Sequence, residues 1–458
     1  VTAQPRGMLD RDTLAGMVEA GAIDTVLVAF PDMYGRLLGK RYDAAYFLDA
    51  AGHGLHFCDY LLACDMEMNP VPGYRFTSWD QGYQDAWGDV DWSTLRRASW
   101  LDGSALVLCD IRREGSGEPV AIAPRSVLKR QVERARAAGL RAMGACELEF
   151  FVFSDSYEAA RDKHYHDLHT YGSYIEDYHL FQGTKTEALL GAIRSHLGQS
   201  GIPVEFSKGE WGAGQAEINI RYADLDVMAD RTVIFKQIAK EIAYQQGLGM
   251  TFMAKWHEAH AGSSMHVHFS LWDEAGQRNH FAADAPGSEP DTFRWALGGM
   301  LAHGRELALL FAPTVNSYKR FQAASFAPTA LAWGYDNRTA GFRVVGSGSS
   351  LRIECRIPGA DANPYLAQAA MLAAALDGIE RQIEPPPALS GDAYNDRDIP
   401  RIPQSLPEAI AEFENSDLAR TAFGDAVVEH YLHFARTEQR AFDAAVTCWE
   451  RQRYFERI

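Results

Sequence analysis

Between Ala145 and Phe153 the chain reads Ala-Cys-Glu-Leu-Glu-Phe-Phe-Val-Phe. Its aromatic and β-branched residues favour an extended strand, and its apolar density asks for burial. Two carboxylates nevertheless stand two residues apart within it. Side chains alternate faces along a strand, so Glu147 and Glu149 share one face. Ionised and side by side in a core, they repel each other and lose hydration unless a cation compensates them. A divalent metal ion does this most simply. A half-exposed strand with one solvated face satisfies the same pattern, because exposed carboxylates are common.

Other stretches repeat the arrangement. Gly209–Arg221 carries Glu210, then glycines at 212 and 214, then Glu217, Asn219 and Arg221 alternating with isoleucines. The glycines mark a tight turn or a close backbone approach. Gly262–Leu271 places His266, His268 and Ser270 on one strand face, and Leu351–Ile357 does the same for Arg352, Glu354 and Arg356. A lone His-x-His is common on surface strands and carries little alone. Four polar-faced strands together suggest a sheet whose concave face lines a cavity. Five carboxylates, Glu147, Glu149, Glu210, Glu217 and Glu354, with His266 as a neutral ligand, would be largely neutralised by two divalent ions. Carboxylate and imidazole donors suit Mg²⁺ or Mn²⁺. Arginines 320, 338, 343, 352 and 356 then remain for phosphates and carboxylates, whose geometry a guanidinium fork matches. Metals and arginines around one site are the equipment of phosphoryl transfer.

The rest of the chain frames this site. Strands are expected at Asp24–Phe30, at 36–41 and at Ser104–Ile111, making a small α+β module over residues 1–112. The polar, glycine-containing stretch 112–119 is the linker candidate, and residues 113–458 form the larger unit. Helices are expected over 124–138, with Pro124 at the start and Gly139 just past the end, and over 184–200, 226–246 and from Pro364. The stretch from Pro403 reads as amphipathic helix used for packing. His164, His166 and His169 fall in a polar stretch and read as a solvated loop. The net charge of −17 argues against general nucleic-acid binding. No run of about 18 apolar residues suggests a membrane span. Six scattered cysteines without a C-x-x-C pair fit a reducing, cytoplasmic setting.

Several motifs in order resemble the glutamine synthetase family in its bacterial class I branch. They are Glu-Leu-Glu-Phe-Phe at 147–151, Gly-Ala-Gly-Gln-Ala-Glu at 212–217, Gly-Ser-Ser-Met-His-Val-His at 262–268, Asn337-Arg338, and Arg-Ile-Glu-Cys-Arg at 352–356 followed by Asn-Pro-Tyr. The resemblance implies an α+β fold with an N-terminal β-grasp domain and a catalytic α/β domain built on a curved antiparallel sheet. It implies one metal held by Glu149, Glu210 and Glu217, and a second by Glu147, His266 and Glu354. Glu205, His268, Ser270, Arg343 and Arg352 match nucleotide-binding positions, and Gly262, Arg320 and Arg356 match glutamate-binding positions. Arg338 matches the arginine that steadies the transferring phosphoryl group. ATP, L-glutamate and an amine are the implied substrates. The implied assembly is a homododecamer of two hexameric rings, with sites shared between neighbours.

Three departures from the family pattern bear on the amine. The flap that typically reads Pro-Gly-Tyr-Glu-Ala-Pro reads Ala-Ala-Ser-Phe-Ala-Pro at 323–328, so Phe326 replaces the glutamate that closes over ammonium. The N-terminal Asp-Gly-Ser-Ser loop is replaced by Cys58-Asp59-Tyr60-Leu61. The Asn-Gly-Ser-Gly-Met-His motif becomes Ala261-Gly262-Ser263-Ser264-Met265-His266. The first two changes remove groups that a small cation needs, while the metal and nucleotide sets stay complete. The expected activity is therefore ligation of glutamate to a primary amine, with Phe326, Asp59 and Tyr60 as amine-site candidates. Ethanolamine is favoured because Phe326 suits a short carbon chain better than a second charge. Polyamine ligation, ordinary glutamine synthesis and an inactive scaffold are the alternatives. Tyr394 lies near a region modified in some relatives, but in a different context.

Overall fold

The computed structural model describes residues 6–458. Among these residues the N-terminal sheet has five strands: β1 (Thr25–Pro31), β2 (Leu37–Asp43), β3 (Leu55–Cys58), β4 (Asp85–Arg97) and β5 (Ser104–Arg113). Their order is β2-β1-β5-β4-β3, with β1 and β5 parallel and the other neighbours antiparallel. The second sheet comprises β6 (Leu140–Phe153), β7 (Val204–Gly209), β8 (Gln215–Ile220), β9 (Ala223–Asp224), β10 (Gly249–Thr251), β11 (Met265–Asp273), β12 (Trp333–Tyr335), β13 (Phe342–Val345) and β14 (Arg352–Cys355). Its path is β12-β13-β14-β11-β6-β8-β7, and β9 and β10 also pair with β6. The fold is the mixed α+β arrangement expected, with the carboxylate strand at the centre of the larger, curved sheet.

The expected strands and helices form with small shifts at their ends. Pro124–Ala137 is a helix with proline in its first turn, and Gly139 follows at φ 73°. The helix Pro364–Arg381 starts at Asn363, whose side chain accepts from the Tyr365 amide. The Asn363 amide group also donates to the carbonyls of Asp32 and Met33 at 3.2 and 3.0 Å, tying this helix to the N-terminal sheet. Helix Asp291–His303 crosses it at backbone contact: a Cβ on Gly299 would lie 2.1 Å from the Ala374 carbonyl oxygen. The sequence gives no periodic sign of this crossing. It also hides β4, whose aspartates and glycine are weak strand formers, and the four-residue β13.

One apolar core takes in residues of both sheets and their helices, and a buried ion cluster ties the N-terminal sheet to the helices that carry Arg125 and Asp230. Arg125, 3% exposed, donates to Asp91 on β4 (2.9 Å), Asp110 on β5 (2.6 Å) and both oxygens of Asp230 (2.9 and 2.8 Å). The Tyr365 hydroxyl adds a 2.6 Å bond to Asp230. Removing Arg125 leaves Asp230 buried without its cation, and such loss typically costs roughly 3–5 kcal/mol. Arg125→Ala is therefore expected to lower the unfolding free energy by about that amount, measured by urea titration. Burial alone would raise the Asp91 carboxyl, but Arg125, Ser93 and Lys129 outweigh it and hold it at about 2. A folded value below the unfolded one means stability present above the usual aspartate range and lost as pH falls toward about 2.

Candidate active site

Strand pairing assembles the acid residues. Across β6, Glu149 pairs with Glu217 of β8, and Glu147 pairs with Asn219 on one side and His266 of β11 on the other. Glu149, Glu210 and Glu217 bring carboxylate oxygens within 4.8 Å of one another. The Ser264 amide (2.8 Å) and hydroxyl (2.5 Å) both donate to Glu149, and Gln215 Nε2 lies 3.3 Å from it. Asn219 donates to Glu217 at 2.9 Å. Burial first, and Glu210 next, push the Glu149 carboxyl up to about 7. Burial, then Glu147, Glu210 and Glu149, push Glu217 well above its ordinary range. Such crowding is what a divalent cation relieves, and the hard oxygen donors suit one.

The second cluster is compensated differently. Glu354 is fully buried and receives Arg343 Nη1 at 2.7 Å and Arg356 Nη1 at 2.5 Å. Burial would raise its carboxyl, but His266, Arg356 and His268 outweigh it and hold it at about 2. His266 Nδ1 lies 3.4 Å from Glu147 and 3.5 Å from Glu354, and burial followed by Arg356 lowers its imidazole to about 4. His268 Nε2 lies 2.7 Å from Glu147 Oε1 while its Nδ1 accepts from Arg352 Nε at 3.0 Å, which assigns the proton to Nε2. Ligand atoms of Glu147, His268 and Glu354 lie within 4.8 Å of one another. His268, expected at the nucleotide, thus also stands among the metal-competent donors. The charge count from sequence changes too, because Glu354 already has two guanidinium partners.

Both clusters open into one cavity of about 520 Å³, shared with Arg320, Arg338 and Phe326. Arg320 is buried and spends its two Nη groups on the carbonyls of Ile357 and Arg356, at 2.9 and 3.0 Å. Gly262 packs against it so closely that a Cβ would lie 2.7 Å from Arg320 Cγ. Arg338 is half-exposed, with Asp336 at 3.5 Å. A neighbouring cavity of about 440 Å³ is lined by Glu205, His268, Ser270 and Arg352, the expected nucleotide residues, and by Phe206 and Tyr222. A break in register between Val204 and Phe206 sets Glu205 apart from the ladder. Arg343 lines the first cavity instead, between Glu354 and Asp336.

Asp59 and Tyr60 line neither cavity. Asp59 accepts from Thr77 at 2.7 Å beside β3, and Tyr60 packs on Tyr83. The chain's own fold therefore does not bring them to Phe326, because they lie in a short 3-10 turn that follows β3 of the N-terminal sheet. His164, His166 and His169 remain on an exposed loop and join neither acid cluster. Sequence reasoning missed Lys208, Ser264 as a partner of Glu149, and Trp211. Lys208 pairs with Glu210 and stands opposite Glu217 in the ladder. Burial would lower its ammonium, but Glu210 and Glu217 outweigh that and raise it. Strand period alone places Lys208 on the Glu210 face, a signal that was available.

This combination of a curved sheet, two acid clusters and inward arginines defines a class. Residues 121–454 match the family model for the glutamine synthetase catalytic domain. The chain belongs to the glutamine synthetase family. It is 49% identical over 448 residues to γ-glutamylethanolamide synthetase of Streptomyces coelicolor, covering 98% of this chain and 96% of that one. It is 37% identical over 445 residues to glutamate–isopropylamine ligase of a Pseudomonas species, covering 96% and 97%. The solved structure of a GmaS/ADP complex superposes with a TM-score of 0.84 at 29% identity, covering 96% of this chain and 99% of that one.

Proposed function

We propose that the protein is an ATP-dependent ligase that joins the γ-carboxylate of L-glutamate to a primary amine through a γ-glutamyl phosphate. The observation that carries this reading is the shared cavity, where an acid triad with Lys208 as its one ion-pair partner among the described residues and an arginine-compensated acid–histidine cluster meet Arg320 and Arg338. The names of the two relatives, one an ethanolamide synthetase and one an isopropylamine ligase, support an organic amine over ammonium.

Glu149, Glu210 and Glu217 would hold one divalent cation, and Glu147, His266 or His268, and Glu354 a second. Mg²⁺ or Mn²⁺ fits donors without thiolate. Bound there, the ions would neutralise phosphate charge as the phosphoryl group passes. The chain's own residues do the rest. Ser264 fixes both oxygens of Glu149, and Arg343 and Arg356 hold Glu354. Arg320, Gly262 and Arg356 bound the end of the cavity assigned to glutamate. Arg338 steadies the phosphoryl oxygens as the glutamate oxygen attacks phosphorus and ADP leaves. The amine nitrogen then attacks the acyl carbon, phosphate departs, and the ammonium proton is lost to a base.

The position of Asp59 and Tyr60 supports a shared site, in which the same loop of a neighbouring copy closes the cavity. We extend this to a homododecamer of two hexameric rings. Sedimentation analysis tests it, and a monomer that still turns over would reject it.

The activity test is phosphate release with glutamate, ATP, Mg²⁺ and a panel of ammonium, methylamine, ethanolamine, putrescine and spermidine. Release is expected to require glutamate and to be fastest with ethanolamine. Preference for ammonium would reject the amine reading, and preference for spermidine only the monoamine choice. No amine-dependent release at all would favour a scaffold.

A further inference from the structure

Two bulky residues of the cavity wall sit on left-handed backbone, Tyr178 at φ 61° and Phe326 at φ 59°. Such conformations are rare for aromatic residues and persist where surrounding contacts enforce them. Around Phe326 those contacts are visible. Arg356 Nη2 donates to the Phe326 carbonyl at 3.3 Å, and the Tyr394 hydroxyl donates to the Ala327 carbonyl at 3.0 Å. The flap is thereby pinned so that Phe326 meets Trp211, with ring centroids 6.1 Å apart and planes at 68°. Both rings line the cavity yet remain 51% and 55% exposed, so their faces are open to a ligand.

The charged groups beside these rings are already engaged. Lys208 pairs with Glu210, reaches Asp177 at 3.4 Å and lies over the Tyr178 ring at 4.5 Å. A second ammonium entering here would find two of the wall carboxylates, Asp177 and Glu210, held by a lysine, and the others in the two acid clusters assigned to metal. An uncharged alkyl or hydroxyalkyl tail meets no such obstacle and gains by covering apolar ring surface.

We propose that Trp211, acting with Phe326, determines amine specificity: the two rings form a slot over the carbon atoms of a short primary monoamine and disfavour diamines. This inference rests on the ligase reading and adds to it a residue and a substrate class.

The test is steady-state kinetics with methylamine, ethylamine, propylamine and ethylenediamine at fixed glutamate, ATP and Mg²⁺. It compares the native protein with Trp211→Ala, Trp211→Phe and Phe326→Ala. In the native protein kcat/KM is expected to rise about fourfold per methylene, the equivalent of roughly 0.8 kcal/mol per buried CH2, through KM more than kcat. Trp211→Ala and Phe326→Ala are expected to flatten this dependence, Trp211→Phe to retain most of it, and ethylenediamine to be poorer than ethylamine. An unchanged chain-length dependence in the alanine variants, or a preference for ethylenediamine, would overturn the proposal alone. Should Trp211→Ala fail to fold, Phe326→Ala and Trp211→Phe report the same dependence. Absence of turnover with every amine in the native protein would overturn the ligase reading and this one with it.

Discussion

Glu149→Ala is expected to abolish amine-dependent phosphate release and to weaken binding of Mg²⁺ or Mn²⁺. Metal ions at transferring phosphoryl groups contribute several kcal/mol, so losing a buried ligand should lower kcat by about a thousandfold or more. The loss should not come from unfolding. Glu149 is crowded by like charge, and its carboxyl is raised to about 7 by burial and then by Glu210. Its removal relieves repulsion, so the melting temperature in metal-free buffer is expected to hold or rise. Ser264→Ala provides the graded companion: it removes the hydroxyl bond to Glu149 and leaves the 2.8 Å amide bond. Outer partners of metal ligands typically account for about 10–100-fold in affinity, and the lower end is expected here. Initial rates and calorimetric metal titration on both variants check this. Near-normal release by Glu149→Ala at saturating metal would remove Glu149 from the metal site.

The second large effect is expected at Arg338. Its side chain is half-exposed, and among the described residues its one ion pair is the 3.5 Å approach to Asp336. Little in the fold depends on it. Arginines that steady a transferring phosphoryl group are worth about 10³–10⁵ in kcat. Arg338→Ala should therefore lower kcat by roughly a thousandfold with the melting temperature unchanged and the KM for ATP moving far less. Arg338→Lys should not restore the rate, because an ammonium cannot offer the planar fork. A variant with high KM for ATP and nearly normal kcat would make Arg338 a ground-state binding residue instead.

The parts of the site that lie on strands were legible because strand period is a strict rule. Glu147, Glu149, Glu217, His266, His268 and Glu354 were each assigned a face by alternation, and pairing then brings those faces together. The parts that depend on who lies opposite whom were not legible. That Arg343 attends Glu354 follows from the β13–β14 pairing, across eleven residues of chain, whereas Arg356 shares the Glu354 face by alternation alone. That Ser264 holds Glu149 is a contact over 115 positions, and the sequence records it only as a missing glycine. The place of Asp59 and Tyr60, away from their own chain's cavity, was not legible for a related reason: a loop motif carries no information about which cavity, or whose, it faces. In the fold, β4 stayed hidden because Asp89, Asp91 and Ser93 are polar, and tertiary pairing with β5 overrides their weak strand preference.

The pairing of Glu149 with Glu217 has a consequence for how this chain tolerates change. All the strand-borne acids depend on odd-versus-even position, so their chemistry is encoded as parity. A one-residue register shift of the whole stretch Cys146–Phe151 would turn Glu147 and Glu149 away from the site and bring Leu148 and Phe150, now fully buried, to the reacting face. No single point substitution does comparable damage to both the interior and the chemistry. The flap that carries Phe326 has no such parity to protect, so its side chains can vary without a register shift, although Arg356 and Tyr394 hold its backbone in place. Substitution on the flap can therefore reshape the cavity wall while the strand-borne donors keep their faces.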